Sequence, residues 1–174
     1  MKKLIYYFIL LIISIIMACS GGNPVDPQLN LTGKIAFWSN RDTNFQVYIM
    51  NADRSDQINL SNNNNYELQP DISPDGLKII FSRSTDLQTG KFDIFVMDID
   101  GSNERNLTNH DHEDAFPRWS PDESYIVFVK YIEIESNPMP PKQIFIMKAD
   151  GTSPTNMSNN NYEYLDTGPS WSVE

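Results

Sequence analysis

The chain has 174 residues and a mass of 20.0 kDa, a length suited to one domain. Thirteen basic residues against 23 acidic ones give a net charge of −10, which argues against nucleic acid as a partner because the chain repels phosphates. At 40% hydrophobic residues the composition is that of a folding chain, and a single cysteine excludes an internal disulfide and a multi-cysteine zinc site.

The first element is an address. Lys2 and Lys3 precede an apolar run from Leu4 to Met17 that only Ser14 interrupts. The run falls short of the roughly 20 residues a bilayer span needs and fits the apolar region of a secretory signal. It ends in Ile16-Met17-Ala18-Cys19-Ser20, which resembles a bacterial lipobox. That resemblance implies a signal peptide over residues 1–18, cut before Cys19, with Cys19 lipidated and inserted in the membrane. The other reading of Cys19 is the small-residue end of an ordinary signal peptide. Ser20, in place of the Asp that resembles an inner-membrane retention signal, implies outer-membrane sorting on either its periplasmic or its surface side. Residues 19–32 hold Gly21, Gly22, Pro24 and Pro27 without periodicity and read as a tether.

From residue 33 onward four motifs recur three times in one order. An apolar run ending in Phe stands at 34–37, 78–81 and 125–128. A longer strand-like run stands at 46–53, 93–101 and 143–151. Asn-Leu-Ser, Asn-Leu-Thr and Asn-Met-Ser follow at 59–61, 106–108 and 156–158. Pro-Asp-Ile-Ser, Pro-Arg-Trp-Ser and Pro-Ser-Trp-Ser follow at 70–73, 117–120 and 169–172. Each motif is β-like, and the breaks between them carry turn residues such as Ser-Pro-Asp-Gly. No amphipathic helical period appears. The Asn-x-Ser/Thr triplets match glycosylation acceptors, but their fixed repeat position favours a role at a strand end.

Four short strands in ~47 residues is the size of one propeller blade. The order Pro-x-Trp-Ser-Pro-Asp, then Ile-x-Phe, then Asp93-Ile-Phe-Val-Met-Asp-Ile-Asp-Gly101 resembles the TolB-type β-propeller repeat over residues 33–174. The fold expected is all-β, with repeat units 33–76, 77–123 and 124–174 written as three blades. Propellers commonly have 4–8 blades. Three blades are therefore expected either as a partial propeller, a piece of a longer protein, or as half of a six-bladed ring made by a homodimer. The Pro169–Ser172 strand of each copy would then complete the first blade of the other.

The search for reaction chemistry is negative for a Gly-x-Ser-x-Gly elbow, a His-Glu-x-x-His helix and a phosphate loop. His110 and His112 form a weak metal-ligand pattern in a stretch that aligns with histidine-free segments of the other repeats. The Asp98-Ile-Asp100-Gly101 stretch lacks the other ligands of a calcium loop and reads as a hairpin turn. No cofactor is expected. An acid lies three residues before the proline of each copy: Glu67, Asp114 and Asp166. The resemblance places the following strand innermost, so these acids are expected at a channel mouth that attracts cations or a basic protein segment. The other role open to them is a hydrogen bond within their own turn. Trp119 and Trp171 are expected to pack between blades, and Trp38 to be exposed. The function these features imply is a non-catalytic, protein-binding envelope lipoprotein. A glycan-binding or metal-dependent lyase propeller is the rival.

Overall fold

The computed structural model describes residues 31–84, 90–109, 112–132, 141–158 and 164–173. The expected signal peptide, the lipidation site Cys19, most of the tether and His110 lie outside the described residues. Residues Thr32–Glu174 form one compact unit.

That unit is all β among the described residues. Eleven strands form three antiparallel sheets. The first sheet has three strands: β1 (Lys34–Ser39), β2 (Gln46–Asn51) and β3 (Ile58–Asn59). The second has four: β4 (Glu67–Ile72), β5 (Lys78–Ser84), β6 (Phe92–Asp98) and β7 (Arg105–Asn106). The third repeats it with β8 (Asp114–Trp119), β9 (Tyr125–Tyr131), β10 (Lys142–Lys148) and β11 (Thr155–Asn156). These are three propeller blades in sequence. The hydrogen-bonded blade begins at the proline-containing strand, so β4 belongs with β5 rather than with β1–β3. The twelfth expected strand is absent: Pro169–Ser172 pairs with no strand among the described residues.

The middle strands read as continuous apolar runs because successive side chains point to opposite faces and blade 2 is covered on both. Ile79, Phe81 and Met97 face blade 1, where they pack on Val47, Ile49 and Ala36. Ile80, Ile94 and Val96 face blade 3, where they meet Trp119, Ile126, Phe128 and Met147. Burial of each such side chain contributes on the order of 1.5–3 kcal/mol.

The turn chemistry repeats with the strands. Asp53, Asp100 and Asp150 each accept the N–H and the hydroxyl of Ser55, Ser102 and Thr152, at 2.9 and 2.6 Å in every copy. This is the local side-chain turn that Asp favours, and it spends the carboxylate of the calcium-like stretch. The Asn-x-Ser/Thr triplet clamps the short outer strand. Ser61, Thr108 and Ser158 hydroxyls accept the N–H of Val47, Ile94 and Ile144 at 3.1, 2.9 and 2.8 Å. Asn59, Asn106 and Asn156 side chains donate to Gln46, Asp93 and Gln143, all buried at one repeat position.

Two glycines fix how closely blades approach. Gly101 and Gly151 have φ of +87° and +91°, and a Cβ there would lie 3.2 Å from the Leu60 carbonyl oxygen and 2.8 Å from that of Leu107. Each turn therefore rests on the backbone of the preceding blade, which a side chain would push away.

Candidate functional site

The inner strands β4 and β8 start at the same end of their blades, and the acids singled out in the sequence are their first residues. Glu67 and Asp114 are fully buried, so neither carboxylate faces solvent. Each stands directly opposite a cation of the next strand: Glu67 opposite Arg83, Asp114 opposite Lys130. The Glu67 Oε1–Arg83 separation is 2.6 Å, and the Asp114 Oδ1–Lys130 Nζ separation is 3.5 Å. Asp166, the third acid, is half-buried and donates its backbone N–H to the Lys142 carbonyl at 2.8 Å.

The cations are also seated on rings. The Arg83 guanidinium lies over Phe95 and Phe81, 4.4 and 5.2 Å from the ring centres, and pairs with Glu104 as well as Glu67. Lys130 Nζ lies 5.6 Å from the Phe145 ring centre. In blade 1 the matching position is Ser39. Arg41 reaches back instead over Phe37 and Tyr48, at 5.1 and 4.7 Å, and donates to Gln57 at 2.7 Å. One design therefore recurs: a cation over one or two aromatic rings, tied to an acceptor before the outer strand or to the first residue of the inner strand. Sequence reading misses the cations. Their signal is a basic residue two positions after the repeated phenylalanine.

Burial dominates the ionisation here. It pushes the Asp114 carboxyl up to about 7 despite Lys130 and a hydrogen bond from Thr108, with the nearby Asp93 charge adding to the rise. Burial also raises Asp93, against hydrogen bonds from Asn106 and Thr108. Burial disfavours the charge on Arg83, but the Glu104 and Glu67 carboxylates outweigh it and hold its pKa above the ordinary value.

The inner strands carry a shared kink. Gln69 and Phe116, each just before the proline, have φ of +56° and +58°, and the strand register shifts at both places. Such a bulge frees backbone N–H groups from the ladder. The preceding blade receives the Phe116 N–H, which donates to the Gln69 side chain at 3.1 Å, and also the outward N–H of Trp119 on the edge of β8, which donates to the Asp71 carboxylate at 2.8 Å.

The same end of the blades exposes aromatic groups. Phe45 and Tyr66 have ring centres 6.4 Å apart and are 37% and 43% exposed; Trp38, at the end of β1, is 48% exposed. Trp119 is buried between blades 2 and 3, and Trp171 donates its Nε1–H to the Arg118 carbonyl at 3.3 Å. His112 sits exposed on the loop before Asp114. Among the described residues no three His, Cys, Asp or Glu side chains group as metal ligands, and no helix is long and apolar enough to cross a membrane.

Comparison with known proteins agrees with this architecture. The profile of the TolB beta propeller domain matches residues 17–174. The chain is similar to a putative TolB from Agrobacterium tumefaciens, with 29% identity, a TM-score of 0.61, and coverage of 71% of this chain and 44% of that one. It is similar in fold to TolB from Acinetobacter baumannii, with 20% identity, a TM-score of 0.57, and coverage of 73% and 31%. An oligogalacturonate lyase from Vibrio parahaemolyticus shares the fold at 12% identity and a TM-score of 0.56, with coverage of 72% and 37%. No curated protein matches the chain. The chain spans less than half the length of either TolB structure. With its three four-motif repeats folded as successive blades, the chain belongs to the TolB beta propeller domain family.

Proposed function

We propose that this chain is a non-catalytic protein-binding module of the cell envelope, held at the outer membrane by lipid on Cys19. The observation that carries the binding role is the aromatic surface at the start of the inner strands. Trp38, Phe45 and Tyr66 stand exposed on or beside strand ends that the blade cores hold rigid. Aromatic anchors on a rigid base are the side chains that dominate protein interfaces. Glu67 and Asp114, the first acids of the inner strands at the same end, are buried against cations of their own blades, which leaves contact chemistry to the rings. The anchor is supported by the run Leu4–Met17 ending at Ala18-Cys19.

A photo-crosslinking residue in place of Tyr66 tests the reading in cells. The expected result is a discrete protein adduct that disappears when Phe45→Ala and Trp38→Ala are added. Adducts only to glycan, or none at all, overturn it. Labelling with a radioactive fatty acid tests the anchor: label is expected on the chain and absent from Cys19→Ala.

A further inference from the structure

Blade 1 lacks an inner strand, and the segment Asp166–Ser172 has the sequence of an inner strand but no sheet to join. Both statements concern the described residues, and each follows from the repeats. In blades 2 and 3 the edge of β5 and β9 is filled by β4 and β8; the matching edge of β1 pairs with no strand. The segment 166–172, in turn, already sits where the inner strand of a next blade begins. Asp166 N–H donates to the Lys142 carbonyl at 2.8 Å, as Glu67 N–H donates to the Phe45 carbonyl at 2.8 Å, and Lys142 and Phe45 hold the same repeat position. Gly168 has φ of +68°, the same left-handed bend as Gln69 and Phe116. Trp171 stands where Ile72 and Trp119 stand.

The flanking faces are complementary in the same sense. Ile35, Phe37, Tyr48 and Met50 lie on the face of blade 1 that corresponds to Ile126, Phe128, Phe145 and Met147 of blade 3. In blade 3 that face is packed on blade 2. In blade 1 no other blade covers it among the described residues, and Ile35 is 38% exposed. Beside the C-terminal segment, a groove of about 670 Å³ is lined by Pro121, Tyr125, Ile146, Trp171 and Val173. The matching space beside Trp119 is filled by Ile126 and Met147.

We infer that a second copy of this chain occupies both features, its β1 pairing with the segment 166–172 of the first, and the reverse joint closing a ring of six blades. The repeat fixes the register. Asp71 pairs with Ile80 and Arg118 with Val127, so Ser170 of one copy stands opposite Ala36 of the other, and Trp171 opposite Ile35. Ile35 and Met50 of the second copy enter the groove. The exchange is between identical elements and leaves no blade short of a strand. One residue sets this joint apart. Arg54 occupies the position of Gly101 and Gly151 with φ of +75°, so its side chain holds the outer corner of the joint wider than the two joints inside the chain. This inference does not rest on the protein-binding role.

The test uses the full chain carrying Cys19→Ser in a mild non-ionic detergent that shields the run 4–17. Light scattering is expected to give a protein mass twice 20.0 kDa. In a mixture of two differently tagged chains, one with Ala36→Cys and one with Ser170→Cys, a disulfide is expected between the tags. Directly opposed Cα atoms lie about 4.5–5.5 Å apart, within disulfide reach. Ala36→Cys with Trp171→Cys, one residue out of register and on the other face, is expected to stay unlinked. Arg54→Gly is expected to raise the dimer fraction at low concentration. A single-chain mass at every concentration overturns the inference. So do open-ended polymers, or a disulfide in the shifted pair alone. Because the mass is read on a chain whose blades are unaltered, a cysteine variant that fails to fold leaves the inference testable.

Discussion

Asp71 of blade 2 and Trp119 of blade 3 meet across the joint between their inner strands. The carboxylate accepts the tryptophan backbone N–H at 2.8 Å. Burial raises the Asp71 carboxyl, and the Trp119 N–H and the Arg118 charge oppose that rise. The bond satisfies a donor on the edge of β8 that faces away from β9. Asp71→Ala is expected to destabilise the fold by about 1–3 kcal/mol, the cost of a buried donor left unmet. Asp71→Asn keeps an acceptor and should lose less. Urea unfolding followed by tryptophan fluorescence separates the two.

Arg83 holds Glu67 and Glu104 while covering two rings, so its removal strands a buried carboxylate. Arg83→Ala is expected to cost about 3–5 kcal/mol. Adding Glu67→Gln should recover part of that loss, because the orphaned charge goes with it. A double-mutant cycle in chemical denaturation measures the coupling. Additivity of the two losses would contradict the pairing.

Asp114 gives the blade 2–blade 3 joint a pH dependence. Its carboxyl is pushed up to about 7 from 3.8, so the folded state binds its proton more tightly than the unfolded state does. The stabilisation from that proton is complete below pH 4 and is lost as pH rises through about 7. Over that whole window the change from this one group is on the order of 4 kcal/mol at most. Stability of Asp114→Asn, measured at pH 5 and at pH 8, should differ by less than that of the unaltered chain. An unchanged difference would show that Asp114 titrates normally.

The glycine contacts predict an order of losses. Gly151→Ala puts a Cβ 2.8 Å from the Leu107 carbonyl, Gly101→Ala puts one 3.2 Å from that of Leu60, and Gly76→Ala meets nothing within 4 Å. All three have positive φ, which alone costs about 1–2 kcal/mol for an L side chain. Melting temperatures should therefore fall least for Gly76→Ala and most for Gly151→Ala.

The repeat made the fold legible. Each blade's apolar runs, its Asp-Gly turn and its Asn-Leu-Ser/Thr clamp stand in the chain as contiguous words, and local words are what sequence reading resolves. The acids at 67, 114 and 166 were visible for the same reason. Their surroundings were not, because the cations that meet Glu67 and Asp114 sit 16 residues further along, and the basic residue after the repeated phenylalanine is tied to them only once β4 is laid against β5 and β8 against β9. The kink at Gln69 and Phe116 was hidden differently. A residue before proline ordinarily favours an extended backbone, and only Gly168 in the third copy hints that this position bends the other way. The missing twelfth strand is a matter of partners: Pro169–Ser172 has strand-like residues but no neighbouring strand among the described residues to bond with.

Among the described residues of one chain, blade 2 is the blade covered on each face, while the cation-on-ring device is rebuilt inside every blade. Each blade thus carries its own polar scaffold and meets its neighbour through an apolar core and a few hydrogen bonds such as Trp119 N–H to Asp71, which makes the chain a short array with nearest-neighbour cohesion. Within a single chain, releasing blade 1 breaks one joint and releasing blade 2 breaks two. Amide exchange of the single chain should therefore be graded, slowest in β5 and β6, with the outer blades opening first as separate cooperative units.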